Sequence, residues 1–179
     1  MKHIFLLFLI FSLSSNAQNL AGSKASAKNE ISHYLNLWHK AAATANFEQY
    51  FNLMTKDAIF IGTDATENWQ NEDFKKFSKP YFDQGKAWNF AVLQRNIYLG
   101  ENGSYAWFDE LLDTQMGICR GSGVLEYKNN EWKIKHYVLS ITIPNENVEE
   151  VTALKKSFDK HLKLQIESQA SFLQPTGHQ

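Results

Sequence analysis

Apolar residues recur at helical spacing in the first third of the chain. One amphipathic helix is predicted over residues 28–44, where apolar side chains repeat every three or four positions: Ile31, Tyr34, Leu35, Trp38 and Ala42. A shorter helix repeats the spacing after Asn46, a residue type that favours helix N-caps. A third is expected from about Asn71, and Pro80 should either end or kink it before Gly85 closes the segment.

Strand signals dominate the second half of the chain. An early strand is predicted over residues 58–61, and longer ones over residues 87–99, 105–115, 118–128 and 131–143. The first long hairpin should turn at Glu101–Ser104, since Asn-Gly suits a type I′ turn, and a later one at Asn129–Asn130. The order predicts one α+β domain over residues 28–145, with the N-terminal helices packed on a strongly curved mixed or antiparallel sheet.

The two ends of the chain have separate predictions. Residues 1–17 combine a short basic start, an apolar run and small residues, which predicts a cleavable signal peptide and a secreted or periplasmic protein. Residues 18–27 should form a flexible leader. A C-terminal helix is expected over residues 146–170, followed by a tail over residues 171–179. No stable membrane insertion is expected after cleavage.

Composition narrows the range of partners. The chain has 18 basic and 19 acidic residues, so no basic face for nucleic acid is predicted. Its single cysteine, Cys119, excludes an intrachain disulfide. The histidines are scattered, and His33 and His39 do not have the spacing of a helical ligand pair, so neither a metal site nor a cofactor is predicted.

Ionisable residues on the predicted strands are the main candidates for chemistry. Alternation places Asp109 on the face of Trp107, and His136 on the face of Trp132 and Ser140. If both faces line a hollow, Asp109 could orient the His136 imidazole as a general base, with Arg120 from the intervening strand beside them. The alternative is that such pairs only satisfy buried polar groups.

Further candidates lie near the expected opening of the hollow. Asp64 follows the first strand and is either a second acid or a brace for its own turn. Trp69, Trp88 and Trp107 are expected to hold an apolar ligand, with simple packing as the alternative. The ligand-binding set is completed by Arg120 and Ser140.

Four segments together resemble the SnoaL-like branch of the nuclear transport factor 2 superfamily: Phe60–Trp69, Ala106–Glu110, Arg120–Leu125 and Trp132–Tyr137. The resemblance covers residues 28–145 and implies a cone-shaped α+β fold, in which three helices close one side of a bent sheet around a pocket. It also implies a homodimer packed through the sheet. The superfamily includes isomerases, dehydratases, cyclases, hydrolases and members without known activity, so the fold leaves the function open.

Three functions therefore stand as hypotheses. The first is binding of a small, partly apolar molecule in an aromatic-lined pocket. The second is a cofactor-free isomerase, lyase or hydrolase that uses His136 or Asp64 as its base. The third is a dimeric structural or partner-binding domain.

Overall fold

The computed structural model describes residues 24–85 and 87–173. It divides after Ile141 into two compact units, which are described separately. The first unit contains these elements in order: helix α1 over residues 24–43, α2 (Phe47–Asn52), β1 (Met54–Ile61), β2 (Asn68–Gln70), α3 (Asn71–Asp83), β3 (Ala91–Leu99), β4 (Tyr105–Thr114), β5 (Gly117–Lys128) and β6 (Glu131–Ile141). The predicted signal peptide lies outside the described residues.

The second unit is helical. A 3₁₀ turn at Asn145–Asn147 leads into α4 (Val148–Leu173), a long helix that carries exposed apolar side chains such as Leu154 and Phe158. Within the described ranges, no helix has the length and apolar character needed to cross a membrane.

The six strands form one mixed sheet in the order β2-β1-β6-β5-β4-β3. Only the β1–β6 pair is parallel among these neighbours, and the others are antiparallel. The prediction of an α+β domain with helices before a mixed sheet, followed by a C-terminal helix, is confirmed. Strand β2 and the early start of β1 were not predicted.

Within the first unit, the core lies between helices α1 to α3 and one face of the sheet, which we call the inner face. On β4 this face carries Ala106, Phe108, Glu110 and Leu112. Trp38 of α1 packs against Tyr137 of β6, with ring centroids 4.8 Å apart. Burying an aromatic or aliphatic side chain of this kind contributes about 1.5–3 kcal/mol.

A β-bulge in β6 decides which side chains reach the core. Leu125 of β5 pairs with Ile134 and Val124 with His136, so Lys135 is an extra residue without a partner on β5. Ile134 is buried before the bulge, and Tyr137 is buried after it. The alternation therefore shifts by one position, and His136 is carried to the opposite, outer face of the sheet.

Several local predictions differ from the structure. Asn129 and Asn130 both have positive φ, 54° and 63°, as a type I′ turn requires, whereas in the earlier hairpin only Gly103 does. The predicted I′ turn at Glu101–Ser104 is therefore wrong. The predicted strand over residues 87–99 begins only at Ala91, and α3 continues past Pro80 to Asp83. Helix α1 already includes residues 24–27, which were assigned to the leader.

Two glycines of β5 allow a close approach of neighbouring groups. A Cβ atom at Gly121 would lie 2.3 Å from the Tyr137 hydroxyl, and one at Gly123 would lie 2.4 Å from the His136 carbonyl oxygen. Both positions are on the inner face, so any side chain there would displace the groups that β6 contributes.

Candidate functional site

Four polar side chains from four elements meet inside the core. His39 of α1, Arg95 of β3, Glu110 of β4 and Tyr137 of β6 form this group, which we call the buried quartet. Glu110 is at its centre and is only 1% exposed. A charge that is removed from water in this way destabilises a protein unless it is paired and hydrogen-bonded.

Both oxygens of the Glu110 carboxylate are engaged. Oε1 lies 2.8 Å from His39 Nε2 and accepts a 3.3 Å hydrogen bond from the Tyr137 hydroxyl. Oε2 accepts a 2.8 Å hydrogen bond from Arg95 Nε. Arg95 Nη2 lies 2.7 Å from Oε2, but its angle makes it an ion-pair contact rather than a second hydrogen bond.

Arg95 also fastens α1 to the sheet. Its Nη1 donates to the Ser32 carbonyl oxygen at 3.0 Å and to Asn36 Oδ1 at 2.8 Å. The guanidinium therefore connects one strand with two successive turns of the helix. A planar fork of N–H donors suits this connection better than the single ammonium group of lysine.

The quartet holds a fixed pattern of charge. Burial raises the pKa of the Glu110 carboxyl, but the hydrogen bond and charge of His39 and the charge of Arg95 outweigh it and hold the pKa below its usual value. Burial and the Glu110 charge raise the pKa of Tyr137 well above its usual value. At neutral pH Glu110 is therefore an anion and Tyr137 a neutral hydrogen-bond donor.

A small opening lies next to the quartet. We call it the aromatic depression; it has a volume of about 210 Å³ and is lined by Phe60, Gly62, Thr63, Glu67, Phe77, Trp88, Phe90, Gln115, Met116 and Leu139. Its rings also contact the quartet, since Phe90 lies 6.1 Å from the His39 ring and Phe60 lies 5.5 Å from the Tyr137 ring.

The aromatic side chain of Trp88 is held firmly in the wall of the depression. It precedes β3 and packs against Tyr50 at 5.5 Å, Phe74 at 5.7 Å and Phe82 at 5.5 Å between ring centroids. These contacts come from α2 and α3, so the two short helices fix one wall of the depression. Interlocked rings of this kind lose little further freedom when a ligand binds.

The loop after β1 forms the polar edge of the depression. Gly62 donates to the Glu67 carbonyl oxygen at 3.1 Å, and the Asp64 amide donates to Glu67 Oε2 at 3.3 Å. A Cβ atom at Gly62 would lie 2.0 Å from Glu67 Oε2. Glycine at this position therefore lets the Glu67 carboxylate fold back over the loop.

The residues predicted on the strands lie on the outer face. Asp109 is opposite Ser122 in the register, and Ser122 is opposite Val138, while His136 is opposite Val124. Arg120 and Ser140 are exposed and opposite each other. The prediction that these residues line the hollow is wrong for Asp109, Arg120, His136 and Ser140. On β4 the acid on the inner face is Glu110, and the bulge in β6 turns His136 to the outer face.

Asp109 and Trp107 have other partners on this face. Asp109 Oδ1 accepts a 2.9 Å hydrogen bond from Asn96, which is its neighbour on β3. Trp107 stacks on Tyr98 with ring centroids 5.7 Å apart and an angle of 14°. Trp107 is 49% exposed, so it does not line the aromatic depression.

The remaining predicted residues lie near the depression. Trp88 lines it, and Trp69 stacks on Phe77, which also lines it, at a centroid distance of 4.8 Å. Asp64 is exposed and accepts hydrogen bonds from the amide and hydroxyl of Thr66, at 2.8 Å and 2.6 Å. It braces its own turn, which was the structural alternative for this residue.

Sequence reasoning missed His39, Arg95 and Glu110, although part of the signal was present. His39 follows Leu35 by four positions and so belongs to the apolar stripe of α1. Glu110 alternates with Phe108 and Leu112, which places it in the buried phase of β4. In the parts of the chain that the structure covers, no three His, Cys, Asp or Glu side chains are arranged to hold a metal ion.

A family model described as the SnoaL-like domain matches residues 31–144, which contain both the buried quartet and the aromatic depression. The chain belongs to the SnoaL-like domain family. The sequence resemblance to this branch of the nuclear transport factor 2 superfamily is thereby confirmed. No curated protein matches the chain.

Solved structures share the fold of this SnoaL-like protein. A provisionally assigned dehydratase of the NTF2-like family from Streptomyces avermitilis is 9% identical, with 68% of this chain and 99% of that chain covered and a TM-score of 0.59. An NTF2-like protein of unknown function from Pseudomonas putida is 13% identical, with 69% and 92% covered and a TM-score of 0.57. The association domain of CaMKII from C. elegans is 20% identical, with 66% and 98% covered and a TM-score of 0.55.

Proposed function

We propose that this SnoaL-like domain binds a small, partly apolar molecule in the aromatic depression. The observation that carries the proposal is the wall of fixed rings around Trp88, which stands open at the surface and is backed by the buried quartet. Small-molecule sites are typically concave and apolar, with a few polar groups that orient the ligand. Glu67, Thr63 and Gln115 supply such groups here.

The size of the depression limits the ligand. Its volume of about 210 Å³ is below the ~300–1,000 Å³ usual for ligand pockets. A single ring with a short substituent therefore fits the depression better than a fused polycyclic molecule. Binding of such a small group is expected to be weak, because the contact area is small.

Binding should depend on Trp88. In titrations with benzyl alcohol followed by NMR, Trp88→Ala is expected to weaken binding at least about tenfold, which corresponds to ~1.4 kcal/mol. Met116→Trp, at the rim of the turn between β4 and β5, should block the depression and leave the fold intact. The matched control is Trp107→Phe on the outer face, which should bind as the wild type does.

Two results of this titration would refute the binding proposal. If the wild-type protein shows no saturable shifts near Trp88 with any single-ring probe, neutral or charged, or if both variants bind as well as the control does, the depression is not the binding site. His136 and Asp64 lie outside the depression, so the geometry supports binding more strongly than acid–base catalysis by either residue.

We also propose that two copies associate through the outer face of the sheet. Tyr98 and Trp107 are 42% and 49% exposed and stacked on one another, and Asp109, Val124 and His136 surround them in the register. Aromatic residues are enriched at the centres of protein interfaces. This arrangement also agrees with the sheet-packed homodimer that the family resemblance implies.

Export is the third part of the proposal. We propose that residues 1–17 direct the chain out of the cytoplasm and are then removed, because a basic start, an apolar run and small residues follow one another there. Expression of the full chain in a bacterial host should yield a periplasmic or secreted product whose N-terminal residue, measured by mass spectrometry, is Gln18. A cytoplasmic product that retains Met1–Ala17 would refute this prediction.

A further inference from the structure

We propose that the aromatic depression prefers an organic cation, such as a small amine or quaternary ammonium compound, over neutral and anionic ligands. This inference rests on the proposed binding function and adds the chemical class of the ligand. It is carried by two features that occur together in the depression: several aromatic side chains and a single carboxylate.

The first feature is the set of rings. Phe60, Phe77, Trp88 and Phe90 supply four of the lining side chains. Phe60 is stacked on Phe74 at 4.1 Å and on Tyr137 at 5.5 Å, and Phe77 is stacked on Trp69 at 4.8 Å, so these rings are fixed by their neighbours. The negative face of an aromatic ring attracts a cation, and tryptophan does so most strongly.

The second feature is the charge at the edge. Among the lining residues that the structure describes, Glu67 is the only charged one. Glu67 as a residue is half-buried, and its carboxylate accepts a hydrogen bond from the Asp64 amide at 3.3 Å. The carboxylate therefore offers a negative charge beside the rings, and its Coulomb attraction for a cation adds to that of the rings.

Nearby charges strengthen this potential. The Asp64 carboxylate lies on the same loop, and hydrogen bonds from Thr66 hold its pKa below the usual value, so it is ionised at neutral pH. Behind the rings, the positive charge of Arg95 is matched by Glu110. The Glu67 carboxylate would repel an anionic ligand, and a neutral ligand would gain no charge–charge attraction from it.

Three probes of similar size and different charge test the inference: benzyltrimethylammonium, benzyl alcohol and phenylacetate. We expect the wild-type protein to bind the cation about tenfold more tightly than the neutral probe, from cation–π and carboxylate attraction together, with the anion weakest. Glu67→Gln keeps an oxygen acceptor for the Asp64 amide and should abolish most of this preference. Glu101→Gln, in the exposed hairpin loop, is the matched control.

A second measurement does not depend on any variant. Raising the salt concentration should weaken the binding of benzyltrimethylammonium to the wild-type protein and leave benzyl alcohol unaffected, because salt screens charges. If the neutral probe binds as tightly as the cation, or if Glu67→Gln retains the full preference, the inference fails while the proposed binding function stands. If none of the three probes binds, both fail.

Discussion

Replacement of Glu110 by alanine is expected to lower the free energy of unfolding by about 3–5 kcal/mol, the usual range when one partner of a buried ion pair is removed. The variant leaves the Arg95 guanidinium, whose side chain is 6% exposed, without its carboxylate. His39 and Tyr137 lose a hydrogen-bond partner at the same time. Urea denaturation followed by circular dichroism measures the change.

The control for this prediction is a carboxylate on the same strand. Asp113 of β4 is exposed, so Asp113→Ala should change the free energy of unfolding by less than about 0.5 kcal/mol. An effect of Glu110→Ala no larger than that of Asp113→Ala would show that the quartet does not hold the domain together.

The pH dependence tests the origin of this stabilisation. Because the folded-state pKa of Glu110 lies below its ordinary value of 4.5, its contribution to stability is present above that value and is lost as the pH falls through the folded pKa. The difference in stability between wild type and Glu110→Gln should therefore be constant near neutrality and shrink in acid below pH 4.5. A difference that persists unchanged into strong acid would mean that the charge is not its source.

Replacement of Trp107 by glutamate should convert the proposed dimer to a monomer. Trp107 lies on the outer face, where truncation or charging of a central aromatic residue removes much of the binding energy of an interface. The new carboxylate would also lie next to the outward-facing Asp109 of the same strand face. Light scattering coupled to size-exclusion chromatography should show the molar mass falling by half.

A comparable substitution elsewhere provides the control. Tyr81 of α3 is 48% exposed, close to the value for Trp107, but lies on a helix rather than on the sheet. Tyr81→Glu should keep the molar mass of the wild type. A wild-type protein that is monomeric at high micromolar concentration, or a Trp107→Glu variant that stays dimeric, would exclude the outer face as the interface.

The long helices and strands could be predicted from the sequence because apolar residues repeat along each of them with the spacing typical of a helix or a strand. Helical spacing around Trp38 located α1, and alternation located β4 and β5 to within one residue at each end. The types of the turns were harder to predict. Asn-Gly at position 102 carried the stronger hairpin signal, yet the two consecutive positive φ angles occur at Asn129 and Asn130. The loop before β4 is longer than a two-residue turn, so its backbone needs positive φ only at Gly103.

The site could not be predicted because it depends on two properties that alternation does not reveal. One is which side of β4 is buried: Phe108 and Leu112 accompany Glu110, but Trp107 and Leu111 accompany Asp109 in the same way, so tertiary packing decides between the two sets. The other is the bulge at Lys135, which reverses the side-chain direction for the rest of β6. The partner of Glu110 on α1 is also 71 positions away, beyond the range of any local pattern.

The polar contacts of α1 have a consequence for its axial position. An apolar stripe alone tolerates sliding of a helix by one turn, about 5.4 Å, because similar side chains then replace one another. Such a slide would bring Leu35 or Ala43 to the place of His39, and the Glu110 anion would lose a hydrogen bond that no hydrocarbon can replace. The contact between His39 and the Glu110 carboxylate thus fixes the axial position of α1 along the sheet.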